Sequence, residues 1–161
     1  MSRRLILLLA VIVALFALAP VVGASGHNAT FTAHLTGDNE VPNQGAPDPS
    51  DSTATGQAIV KLRSGDLSFK LIVANIENAA AAHIHCGAEG SNGPVGVTLY
   101  GGPPTSDSGI LAQGEISGPD AGNGCDWTTL ADVIAAIEAG NAYVNVHTPA
   151  FPAGEIRGQL G

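Results

Sequence analysis

Five histidines stand out among the residues able to do chemistry: His27, His34, His83, His85 and His147. His83-Ile84-His85 is an H-x-H pair set in a β-type run. Alternate residues of a strand project to the same face, about 7 Å apart, so two imidazoles so spaced can converge on one ion. The pair therefore reads either as part of a metal site or as two loop-bonded histidines. His27 reads as solvated, and His34 falls on a first strand whose orientation the pattern does not fix.

The last two apolar runs supply further polar groups. In Tyr143-Val144-Asn145-Val146-His147 the valines share one face, and Tyr143, Asn145 and His147 share the other. A returning strand with a turn near Pro149 to Ala153 places His147 opposite Glu155, Asn145 opposite Arg157 and Tyr143 opposite Gln159. Asn145, Glu155 and Arg157 are accordingly expected on a polar surface next to the histidines. Other candidates are weaker. Asn28-Ala29-Thr30 is a glycosylation sequon. Asp38, Glu40, Asp48 and Asp51 crowd one loop without the spacing of a calcium loop. There is no G-x-S-x-G, and nothing selects a catalytic pair among Glu77, Glu89, Glu115 and Glu155. No catalytic residue is expected.

The elements that must position these groups are short and mostly β. Strands are predicted over Ala29–Thr36, Thr55–Leu62, Asp66–Ala74, Ala81–Cys86, Val95–Tyr100, Ile110–Ile116, Ala142–Thr148 and Glu155–Leu160. Arg63-Ser64-Gly65 reads as a hairpin turn. Leu130, Val133, Ile134 and Ile137 have helical spacing, which predicts a helix over about 128–139, capped by Thr128 or Thr129 and ended by Gly140. About eight strands and one short helix imply an all-β fold, an immunoglobulin-like or Greek-key sandwich or flattened barrel.

Arg3 and Arg4 precede the apolar run Leu5–Ala19, and Val22-Gly23-Ala24 supplies small residues. That is the layout of a signal peptide over residues 1–24, ahead of a single domain over 25–161. The chain is thus expected to be secreted, extracellular or periplasmic, with an uncleaved anchor as the alternative. Beyond Ala24, Lys61, Arg63, Lys70 and Arg157 are the whole basic complement against 14 acidic residues, which excludes a nucleic-acid footprint. The positive mean hydropathy of +0.23 owes much to the leader, and no second apolar run approaches the roughly 20 residues of a membrane span. In an oxidising compartment Cys86 and Cys125 are expected to pair. Cys86 as a metal thiolate is disfavoured, because on a strand it points away from His83 and His85.

Several stretches carry a resemblance to a known family: Leu35–Pro42, Ala82–Gly87, Asn92–Val95, Tyr143–Thr148 and Gly154–Leu160. In this order they resemble the CHRD domain, first described in chordin and common in exported bacterial proteins. The resemblance implies an immunoglobulin-like β-barrel from about Phe31 to Leu160 and no catalytic activity. It points to a non-enzymatic module for an extracellular protein or small ligand. His34 lies outside the family's motifs. A second similarity is to the copper/zinc superoxide dismutases, which also carry H-x-H on an outer barrel strand and a loop-tying disulfide. It implies copper on His83, His85 and His147, with His34 or a water completing the set. The chain departs from that pattern: it has no separate zinc loop and no histidine placed to bridge two metals. What stays open beside the binding module is a mononuclear copper or zinc site.

Overall fold

The computed structural model describes residues 27–161, so the leader predicted over residues 1–24 lies outside the described residues. Eight antiparallel strands form one sheet: β1 (Ala29–Thr36), β2 (Thr55–Arg63), β3 (Asp66–Ala74), β4 (Ala79–Cys86), β5 (Val95–Thr105), β6 (Gly109–Ile116), β7 (Ala142–His147) and β8 (Ile156–Gln159). Their order is β5-β4-β7-β8-β1-β2-β3-β6, and the edge strands β5 and β6 approach each other. The sheet is therefore a nearly closed barrel, which leaves little open edge. Among the described residues there is one α-helix, α1 (Leu130–Glu138), and two short 3-10 turns, Gly37–Asn39 and Pro49–Asp51.

Alternation explains the core. Leu35, Val60, Leu71, Val73, Ile84, Val144, Val146 and Ile156 all point inward and are buried. Ser64 and Gly65 both take positive φ (53° and 96°) in the β2–β3 turn, the backbone of a two-residue hairpin. Thr129 caps α1 through a reciprocal box with Asp132, and Val133 and Ile137 are buried in the core. No described helix is long and apolar enough to cross a membrane.

Two strand boundaries differ from the sequence expectation by more than one residue. β4 begins at Ala79, because its leading alanines carry little strand signal of their own. β5 runs through Gly101-Gly102-Pro103-Pro104 to Thr105, since an edge strand tolerates prolines that an inner one does not. Cys86 and Cys125 form a disulfide across 39 residues, worth about 4 kcal/mol by loop entropy. It ties the loop before α1 to the end of β4.

Candidate metal centre

β4 and β7 pair with His83 opposite Asn145, His85 opposite Tyr143 and Ala81 opposite His147. This register puts the three histidines on one face. Their rings lie 5.6 Å (His83–His85), 4.9 Å (His83–His147) and 5.7 Å (His85–His147) apart between centroids. One nitrogen from each falls within 4.8 Å of the others. Ligands of one tetrahedral ion stand about 3.4 Å apart, so small ring rotations about the soft terminal torsion bring them together.

Hydrogen bonding decides which nitrogens face inward. His85 Nδ1 lies 2.9 Å from the Gly93 carbonyl and His147 Nδ1 lies 3.2 Å from that of Pro152. A carbonyl only accepts, so both Nδ1 atoms carry the proton and each Nε2 keeps a lone pair. His85 Nε2, His147 Nε2 and His83 Nδ1 are buried without a partner. Burial lowers the pKa of all three rings. For His83 the Asp120 carboxylate opposes it. For His85 the Gly93 bond opposes it, while His83 and Arg157 reinforce it. His147 is lowered to about 4, by burial and then by its two neighbouring imidazoles. At neutral pH the cluster is three neutral imidazoles, a donor set suited to copper or zinc.

The last hairpin keeps the expected register, with Asn145 opposite Arg157 and Tyr143 opposite Gln159, but its ladder ends at Val146–Ile156, short of the expected His147–Glu155 pair. Its polar face, however, is not a surface. Asn145 is 3% exposed, Glu155 7% and Arg157 2%, because loops fold over them. Asn145 donates to Glu40 Oε1 at 2.6 Å. Glu155 accepts from Ser52 and Thr148 at 2.8 and 2.7 Å. Arg157 donates to Ser91 O (2.7 Å), Asn92 Oδ1 (3.1 Å) and Ala88 O (3.4 Å), so Glu155 and Arg157 serve different loops and make no ion pair. The Arg157 guanidinium lies 3.5 Å over the Tyr143 ring, and that ring stacks on His85 at 4.9 Å and 11°. His34 is exposed on β1 opposite Gln57 and outside the cluster; His27 bonds Glu138 at 2.8 Å.

A family model, the CHRD domain, matches residues 31–160. The chain belongs to the CHRD family. Searches of the curated proteins and of the solved structures found no match. The stretches that carry the CHRD resemblance meet in space. Asn92 accepts from Arg157 and donates to Val41 O at 2.6 Å, joining three of them. Gly93 packs so closely on the Cys86 carbonyl that a Cβ there would overlap it. Gly154, at φ 134°, leaves room for the Asn145–Glu40 bond. The sequence weighs Glu40 in this CHRD domain only as part of an acidic loop, and singles out neither Asn92 nor Asp120. The first two stand inside recognised stretches, which was the available signal; Asp120 had none.

Glu40 also gives the domain a pH dependence. Burial holds its carboxyl up at about 7, against the pull of Arg157 and the Asn145 bond. Its folded pKa lies above the ordinary 4.5, so the stability it lends is complete below 4.5 and lost as pH rises through 7. Glu40→Gln is expected to match wild type at pH 4 and to be the more stable protein at pH 8. Urea midpoints across that range check this, and parallel curves for the two proteins would contradict it.

Proposed function

We propose that this CHRD protein is an exported, non-enzymatic module that holds one copper or zinc ion on His83, His85 and His147. The observation that carries the reading is the convergence of three buried, unpartnered imidazole nitrogens. Buried polar atoms are ordinarily satisfied, and unpartnered nitrogens on three rings that each offer an atom within 4.8 Å of the others are what a bound ion would explain. Carbonyl partners on the outer nitrogens of His85 and His147 support it, since ligating histidines are oriented this way. Export is supported by the Arg3-Arg4 leader pattern and by the Cys86–Cys125 bridge. The alternative is a metal-free module binding an extracellular protein or small ligand. Burial of Asn145, Glu155 and Arg157 weighs against those residues as its docking face.

Elemental analysis of protein purified without an affinity tag tests the reading. Wild type is expected to carry about one copper or zinc per chain, and His83→Ala/His85→Ala none. Equal, negligible metal in both proteins would sink it.

A further inference from the structure

Resting on that metal reading, we infer that Asp120 is the positioning carboxylate of the centre: it accepts the outer N–H of His83 and so aims that ring's inner nitrogen at the ion. An asymmetry among the three ligands is the starting point. His85 and His147 each have a ring nitrogen held by a backbone carbonyl, Gly93 O at 2.9 Å and Pro152 O at 3.2 Å. The His83 ring has no hydrogen-bond partner among the described residues, and its Nδ1 is buried, which leaves Nε2 as the outer nitrogen. A ring without an outer bond is free to turn about its terminal torsion and to take either tautomer, only one of which leaves the Nδ1 lone pair for a metal.

The strand ladder supplies the missing group. β4 pairs with β5 so that His83 stands directly opposite Thr98. Side chains so paired share a face, about 5 Å apart at Cβ. Thr98 Oγ1 donates to Asp120 Oδ2 at 2.6 Å, which fixes a carboxylate on the cross-strand neighbour of His83. An ionised carboxylate accepts up to about four hydrogen bonds, so this one has acceptors to spare.

Asp120 itself is held by its main chain. Its N–H donates to Gly96 O at 2.9 Å, and its carbonyl accepts from Asn123 N at 3.1 Å and Asn123 Nδ2 at 2.9 Å. The Cys86–Cys125 bridge anchors the same loop to the end of β4. Asp120 lies outside the group of ligand atoms within 4.8 Å of one another, so it works through His83 rather than on the ion. A carboxylate on the outer N–H fixes the tautomer and makes the opposite nitrogen the better donor.

The test is zinc affinity, by competition with a chromophoric chelator, read beside the imidazole nitrogen NMR signals of the zinc-loaded protein. Asp120→Asn keeps the size and an acceptor for Thr98, but presents an amide donor where His83 needs an acceptor. It is expected to weaken zinc binding about 10- to 100-fold and to shift the ring signals of His83 while those of His85 and His147 stay. The Tm of the zinc-free protein should not move, because the loop is held by main-chain bonds. Thr98→Val, which unclamps the carboxylate but keeps it, is expected to lose affinity in the same direction by a smaller factor. Should Asp120→Asn fail to fold, Thr98→Val decides alone. Affinity within about twofold of wild type in the deciding variant, or ring signals that shift equally for all three histidines, overturns the assignment. Wild type that binds no zinc overturns the metal reading itself, a separate outcome.

Discussion

Saturating zinc(II) is expected to stabilise the metal-free protein by about 4 kcal/mol when present at 1,000 times its dissociation constant. For a domain of this size that corresponds to a rise in Tm of roughly 10 °C or more. Zinc serves here because it has no redox chemistry. His147→Ala is expected to abolish most of the rise while leaving the metal-free domain folded, because His147 is only half-buried and sits at the end of β7. The pH dependence has a definite sign. All three rings have folded pKa values below 6.5, so protons do not compete with the ion at neutral pH. The metal effect should be complete above pH 6.5 and decline below it as the three rings protonate, His147 doing so near 4. Thermal melts with and without zinc, from pH 4 to 8, measure this. A rise that survives His147→Ala would place the ion elsewhere.

Arg157→Ala is expected to destabilise the domain by about 3–5 kcal/mol. Arg157 heads the fully buried side chains, so truncation empties a large space beside Tyr143. It also strips donors from Ser91 O, Asn92 Oδ1 and Ala88 O, on the loop whose Gly93 carbonyl orients His85. Arg157→Lys keeps the charge but loses the planar fork and the stack, and should fall between wild type and Ala. Urea unfolding gives the size of the loss. The loop gives the mechanism: the His85 ring N–H, held by the Gly93 carbonyl, is expected to exchange slowly in wild type and fast in Arg157→Ala. A loss below 1 kcal/mol, or a ring proton unaffected by the change, would contradict the strap role given to this residue.

Much of the barrel was legible. β1 and β3 match their predicted bounds because period-2 alternation is strong there. The last hairpin's register followed from a symmetric turn. What a strand pattern cannot tell is whether its polar face meets water or a loop. Asn145 and Arg157 alternate with apolar residues as a solvated face would, yet residues 37–43 and 87–92 close over them. The His83–His85 pair was readable from H-x-H, whereas its union with His147 required β4 to pair with β7, whose paired residues lie between 56 (Cys86 and Ala142) and 66 (Ala81 and His147) positions apart, a long-range choice made by the barrel. Glu40 stayed hidden for the same reason, since its partner Asn145 is 105 positions away.

The most direct measurement is X-ray absorption on copper-loaded, untagged protein at one ion per chain. The account predicts three imidazole nitrogens at about 2.0 Å and the loss of one imidazole's signal in His147→Ala. Copper bound through oxygen or sulfur, or an imidazole count unchanged in that variant, would contradict it.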